Sequence, residues 1–386
     1  MKILRVIFAL LALCIVACEE PQQPVAAETT IASLGTPGDN EIWFTTIDGR
    51  HLMALNDEAF NANITDIEYI EYGINVIRFD APLTTIGAGA FDNCRNINNV
   101  SLPESVTSIG EKAFFECIQL ECLTLGTKVR ECGEKAFDNC LSLYSLHISS
   151  IGDWCQIEFA NSTANPLCYG AILIVNGHKI KKLEIPSWIS HIGDYAFCNY
   201  SVMSSVKIPA KIKSIGKDAF KGCEGLSSVD IEDLAAWCRM EFATVESNPL
   251  IAAGTLLLNG KSISKLSIDG IDKIVPQAFM GCENITSITT DDSLNTIGDE
   301  AFRGCPNLSS VTLGKGVTAI NGRAFMGCME LKSVICHATT PPTLADKYVF
   351  DYNADSRKIY VPSESLNAYK SHEQWSRYAD SIEAIN

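Results

Sequence analysis

An Ala-Phe pair returns in phase eight times in this 386-residue chain, with its phenylalanine at positions 91, 114, 137, 197, 220, 279, 302 and 325. Five of the seven gaps are 23 residues, and the other two are 60 and 59. Counted from each phenylalanine, apolar side chains follow at offsets 3, 6, 9, 11, 15 and 18. After Phe91 these are Cys94, Ile97, Val100, Leu102, Val106 and Ile109; after Phe302 they are Cys305, Leu308, Val311, Leu313, Val317 and Ile320. One copy cannot fold alone, because it buries too few side chains to offset the entropy of ordering 23 residues. Stacked copies share buried faces and strand edges, so the pattern predicts a solenoid.

Within the unit, steps of three from Phe to Cys to the next apolar residue predict a single helical or 3₁₀ turn with one buried side. The step of two between offsets 9 and 11 predicts a short strand. Pro103 or Pro209 ends that strand, and a glycine at offset 19 (Gly87, Gly110, Gly216, Gly298) is read as permitting the turn back. The two long gaps hold related insertions. Trp154-Cys155, Phe159, Asn165-Pro166-Leu167 and Asn176-Gly177 recur 83 positions later as Trp237-Cys238, Phe242, Asn248-Pro249-Leu250 and Asn259-Gly260. Each insertion is expected to hold an apolar strand (172–175, 256–258), an Asn-Gly hairpin turn and a returning strand. The shared residues are core and turn types, which favours a structural module over a binding loop.

The phrase Val106-Thr107-Ser108-Ile109-Gly110-Glu111-Lys112-Ala113-Phe114, with Cys117, resembles the signature of the BspA-like leucine-rich repeat family, and the likeness covers roughly residues 81–336. Residues 41–80, with Thr45-Thr46-Ile47-Asp48-Gly49, resemble the N-terminal cap of Bacteroides-type members. Thr339-Thr340-Pro341-Pro342, Lys358-Ile359-Tyr360-Val361-Pro362, Ala368-Tyr369-Lys370 and Trp375 resemble their C-terminal cap, here 337–386. Tyr200 in place of the offset-3 cysteine, Cys132 in place of an isoleucine, and Val275 and Asn321 in place of the glycine mark local irregularities. The resemblance implies an α/β solenoid of short parallel strands and one-turn helices, capped at both ends. It further implies non-enzymatic adhesion at a cell surface, to host extracellular proteins such as fibronectin or fibrinogen, or to other cells.

The chain opens with Met1-Lys2-Ile3-Leu4-Arg5 and an apolar run from Val6 to Ala17, too short for a comfortable permanent span and suited to an export signal. That run ends in Ile15-Val16-Ala17-Cys18, which resembles the bacterial lipoprotein cleavage box: a cut after residue 17 and a diacylglycerol on the Cys18 thiol. Cys14 is the poorer candidate because bulky Leu13 precedes it. Pro, Gln and Glu without apolar periodicity make residues 18–40 a flexible tether. Glu19-Glu20 resembles the acidic patch that marks surface export in Bacteroides-type lipoproteins. The expected location is the outer membrane, lipid-anchored at the cell surface, with no membrane contact beyond the anchor. With 30 Lys plus Arg against 46 Asp plus Glu, a net charge of -16, the chain has no general electrostatic reason to bind nucleic acid.

An exported chain with 14 cysteines beyond Cys14 and Cys18 raises the question of disulfides. Seven of them share offset 3: Cys94, Cys117, Cys140, Cys223, Cys282, Cys305 and Cys328. Stacked units place such residues ~4.8 Å apart with parallel side chains, whereas a disulfide needs converging β-carbons about 3.8 Å apart. A buried thiol ladder is therefore expected. No CxxC pair, P-loop, GxGxxG or GxSxG motif occurs, and the six histidines are scattered. No enzyme, cofactor or metal site is expected.

If offsets 9 and 11 face inward, offsets 8 and 10 face solvent. Offset 8 runs Asn99, Cys122, Ser145, Ser205, Ser228, Ser287, Ser310, Ser333, and offset 10 runs Ser101, Thr124, His147, Lys207, Asp230, Thr289, Thr312, Ile335. The returning strands of the insertions are expected to add Lys182, Glu184, Lys265 and Ser267. The result is a flat face of small residues with charge only toward its middle. Its candidate binding residues are Ser145, His147, Lys182, Glu184, Ser205, Lys207, Ser228 and Asp230. No aromatic falls in these columns, with Trp43 placed elsewhere, which counts against a stacking platform for sugars. A protein ligand and a monomeric chain are expected. The alternatives are a surface glycan-capture lipoprotein, a hydrolase, and a structural protein facing the periplasm.

Overall fold

Consecutive units lie side by side in register, with Val206 beside Val229 and Ile208 beside Ile231, each 23 residues on, in parallel strands. The computed structural model describes residues 36–70 and 73–385; the signal segment, Cys18 and the tether up to residue 35 lie outside these residues. A typical unit contributes a longer strand, such as Ser205–Ile208, and a two-residue strand, such as Ser214–Ile215. Val206 and Ile208 point inward and are buried, while Ser205 and Lys207 point outward. The longer strands form three sheets and the shorter strands three more, so the stack is divided into three blocks.

The phenylalanines line the core opposite the strands. Phe91, Phe114 and Phe137 stack at 4.9 and 5.3 Å. Phe279, Phe302, Phe325 and Phe350 stack at 5.1, 5.4 and 5.6 Å with planes 2° apart. Phe350 thus extends the column at one end, and Phe60 extends it at the other, edge-on to Phe91 at 5.8 Å. Both escape the sequence pattern because they stand 25 and 31 residues from their neighbours, outside the 23-residue phase.

The expected one-turn helix does not form. Bonds of the right span exist, such as Cys94 N–H to the Phe91 carbonyl at 3.0 Å. Yet the residues at offsets −2 and +2 are left-handed: Gly89 and Asn93 at φ 63 and 60°, Lys112 and Glu116 at 55 and 54°, Glu300 and Gly304 at 55 and 69°. Left-handed residues interrupt a helix. Here they swing alternate N–H groups toward the next unit. Gly89, Phe91 and Asn93 donate to the carbonyls of Glu111, Ala113 and Phe115 at 2.9, 2.7 and 2.8 Å. The turns are therefore cross-linked from unit to unit, as strands are.

The glycine at offset 19 also has a different cause from the one expected. Neither Gly110 nor Gly298 has a positive φ. A Cβ on Gly110 would lie 2.6 Å from the Ala88 backbone nitrogen, and one on Gly298 would lie 2.5 Å from that of Pro276. At Gly110 and Gly298 it is close approach of the neighbouring coil, and not a turn, that leaves no room for a side chain. Val275 stands at this position in the coil that opens the third block, its N–H bonded to the Cys238 carbonyl at 2.9 Å, and Asn321 stands at it within that block; nothing in the structure explains why these two coils accept a side chain.

The insertions mark the breaks between blocks. Ile172–Val175 pairs in parallel with Ser145–Ile148, and the Asn176-Gly177 turn, with φ 48 and 80°, returns the chain only through His178–Lys179. Lys182–Glu184 is not that return strand; it opens the second block beside Ser205–Lys207, and Lys265–Ile268 opens the third. Side chains stitch the blocks together. The Trp154 indole donates to the Ala196 carbonyl at 2.9 Å, and buried Asn165 donates to the carbonyls of Tyr195 and Ala196 at 2.7 and 3.2 Å. At the second break, Trp237 reaches Ala278 and Asn248 reaches Gln277, both at 2.8 Å. The hairpins are held by different residues: the Tyr200 hydroxyl accepts from Leu173 N–H at 3.3 Å and bonds the Ile180 carbonyl. Asn284 accepts from Leu256 N–H at 2.9 Å and donates to the carbonyls of Leu256 and Ile263 at 2.8 Å.

At the N-terminal end, Glu41–Thr46 lies antiparallel between Ile97–Ser101 and Asn75–Phe79. At the other end, Lys358–Val361 and Ile382–Ala384 carry the last sheet past residue 336 in parallel. Residues 37–40, expected in the tether, are tied to the fold. Pro37 is buried, and the Asp39 carbonyl accepts from Leu83 N–H at 2.7 Å and from the Ser105 hydroxyl at 3.1 Å.

Candidate binding surface

Strand alternation turns offsets 8 and 10 outward, and the second block assembles most of the expected residues. Lys182, Ser205 and Ser228 form one in-register row, and Glu184, Lys207 and Asp230 form the next. Ser145 and His147 do not join them, because they belong to the first sheet. Ser145 is only 4% exposed, and Ser101 is fully buried. Their in-register neighbours explain this: Ser145 lies beside Ile172 and Ser101 beside Trp43, so short side chains are overhung by larger ones.

The second-block rows carry alternating charge: Glu184, Lys207 and Asp230 in one, with Lys182 at the edge of the other. Lys207 Nζ lies 3.2 Å from Glu232 Oε1, and that carboxylate raises the lysine above its ordinary pKa. One Asp230 oxygen accepts from Gly260 N–H at 2.8 Å, which fixes the carboxylate against the second hairpin. These groups are solvated, so the Lys207–Glu232 pair adds little to stability. They remain available to a partner.

The rest of the face departs from expectation in two ways. Charge is not confined to the middle: Lys265 and Lys358 flank the hydroxyl row Ser287, Ser310 and Ser333, and Lys358 pairs with Glu383 at 2.6 Å. Aromatics do occupy the columns at their ends, with Trp43 beside Ser101 and Tyr360 beside Ile335. Both lie outside the 23-residue phase. The signal for Trp43 was the alternation of Ile42 and Phe44 with polar neighbours.

The offset-3 cysteines serve the interior. Cys117, Cys140, Cys223, Cys305 and Cys328 donate their thiols to the carbonyls of Phe91, Phe114, Phe197, Phe279 and Phe302 at 3.0–3.2 Å. Burial pushes the Cys94 and Cys223 thiols up to about 12, which keeps them protonated. Among the described residues, no group of three or more His, Cys, Asp or Glu is placed to hold a metal ion. Nor is any helix among them long and apolar enough to cross a membrane.

Stacked parallel coils around a phenylalanine column and two strand ladders define a leucine-rich repeat solenoid. The pattern of the BspA type leucine rich repeat region matches residues 53–165, 174–245 and 257–373 in six copies, and the chain belongs to that family. Solved structures similar to it include a leucine rich cell surface protein from Faecalibacterium prausnitzii, at 18% identity and TM-score 0.43, covering 92% of this chain and 96% of that one. A leucine-rich repeat protein from Bacteroides ovatus aligns at 20% identity and TM-score 0.39, covering 91% and 99%. The pneumococcal vaccine antigen PcpA aligns at 14% and 0.34, covering 84% and 87%. No curated protein matches the chain.

Proposed function

We propose that this is a non-enzymatic surface lipoprotein that binds another protein through the outward face of its sheets. The observation that carries the proposal is the second-block patch. Lys182, Glu184, Lys207 and Asp230 stand in two rows at strand spacing, on backbone already committed to ladder bonds. Such a surface offers fixed, alternating charge to a broad partner at little ordering cost. Family membership supports the reading. In it, Cys18 carries the lipid, residues 18–36 form the tether, 41–80 and 337–386 cap the solenoid, and the mature chain is monomeric. The partner is a host extracellular protein or the surface of another cell.

The test has two stages. Protease added to intact cells is expected to digest the protein while a periplasmic control survives; full protection would instead leave a role inside the envelope. Residues 19–386 are then assayed against immobilised fibronectin and fibrinogen. The charge reversals K182E, K207E and D230K together are expected to weaken binding at least tenfold. Unchanged affinity would remove this patch from the recognition surface.

A further inference from the structure

The short ladders are interrupted between the second and third blocks, and the interruption leaves two strand edges facing each other. Glu241–Phe242 ends one sheet and Lys273–Ile274 begins the next, each paired on one side only. The ladder bonds identify the backbone groups left over. Glu241 N–H donates to the Lys213 carbonyl at 2.8 Å and Ala243 N–H to the Ile215 carbonyl at 3.1 Å, so Phe242 between them turns its N–H and C=O away from its own sheet. Thr296 N–H donates to the Asp272 carbonyl at 3.2 Å and Gly298 N–H to the Ile274 carbonyl at 2.9 Å, which turns the N–H and C=O of Lys273 outward as well.

Between these edges lies a cavity of about 530 Å³, with Phe242, Val275 and Pro276 among its walls. The bond from Val275 N–H to the Cys238 carbonyl joins the two walls, and the Arg239 guanidinium joins them again by donating to the Gly270 carbonyl at 3.3 Å, which makes the remaining space a wedge. The first break leaves short-strand edges of the same kind, but its aromatic side chain sits differently. At the first break the equivalent Phe159 is 2% exposed, whereas Phe242 is half-buried and borders the cavity. Arg239 lies 3.9 Å from Asp272 and is engaged by it. Glu241 and Lys273, one on each wall, have no ion-pair partner among the described residues.

We infer that this wedge is a second binding site, separate from the outward patch, which accepts an extended segment of another polypeptide as an added strand. The occupant must offer main-chain N–H and C=O groups alternately to both sides, which an extended peptide does. It must also present a small apolar side chain to Phe242, Val275 and Pro276. A basic residue toward Glu241 and an acidic one toward Lys273 complete the match. The inserted strand restores the interrupted ladder.

The test uses the chain from residue 19 onward and two blocked pentapeptides, Lys-Thr-Val-Thr-Glu and its reverse. Amide hydrogen exchange at Phe242 and Lys273 is followed with each peptide at millimolar concentration. One of the two is expected to slow exchange at both amides at least tenfold, and its form N-methylated at valine is expected to lose the effect. Lys273→Pro, which removes one outward N–H and no ladder bond, is expected to weaken the protection left at Phe242. Unchanged exchange with both peptides, or equal protection by the N-methylated form, would overturn the proposal.

Discussion

Left-handed backbone at offsets −2 and +2 gives glycine a different meaning at two positions of the same unit. Gly304, at φ 69° with open space around its missing Cβ, is chosen by conformation alone. Gly304→Ala is expected to cost about 1 kcal/mol in chemical denaturation. Gly110 is chosen by contact, its Cβ position 2.6 Å from backbone. Gly110→Ala is expected to cost about 1–3 kcal/mol, because the neighbouring coil must move. Equal costs at the two sites would contradict this division. The inward residues were legible one by one, since Phe, Cys and the aliphatic positions keep strict phase. Phe60, Phe350, Trp43 and Tyr360 were not, because each sits where the chain leaves that phase, and only their surroundings place them in the same columns.

Among elements, the strands could be read and the helices could not. Alternation at offsets 9 and 11 has a single structural meaning, whereas a step of three between apolar residues fits both a helix and a chain of turns with left-handed joints. Apolar spacing carries no sign of φ. The spacing of the insertions places the return strand too late: His178–Lys179 closes the hairpin, and Lys182–Glu184 belongs to the next block. As a result the candidate patch falls within one sheet, without Ser145 and His147. The joints themselves make a prediction. Asn165 is fully buried, accepts from Leu167 N–H at 2.8 Å and donates across the break. Asn165→Ala is expected to cost about 1–3 kcal/mol through the polar groups it leaves unpaired. It is also expected to split one cooperative unfolding transition into two, as the first block separates from the rest. A single transition with unchanged midpoint would show that the joint is not rate- or stability-determining.

The molecule as a whole is filled with protonated thiols, and this sets its response to alkali. An unperturbed cysteine ionises near 9, whereas burial pushes Cys198 and Cys282 up to about 11 and Cys94, Cys223 and Cys238 up to about 12. The folded chain therefore holds these protons more tightly than the unfolded one. Their stabilising contribution is full below about pH 9 and is lost as pH rises toward 12. Melting temperatures taken from pH 7 to 10.5 are expected to be flat and then to fall; a flat profile throughout would contradict the buried assignment.

The two joints have one more consequence, for how long such a chain can be. Each is built from the same residues 83 positions apart, so either can act as a splice point. Deleting residues 155–237 joins Trp154 directly to Cys238, and the Trp154 indole then inherits the Ala278 carbonyl that Trp237 holds now. The shortened chain is expected to fold, with the same circular dichroism per residue and a cooperative melt; an aggregated product would refute the equivalence. Insertion of another 83-residue copy follows the same logic. The length of the molecule can thus change in whole blocks, with neither end rebuilt and the register of every remaining strand preserved.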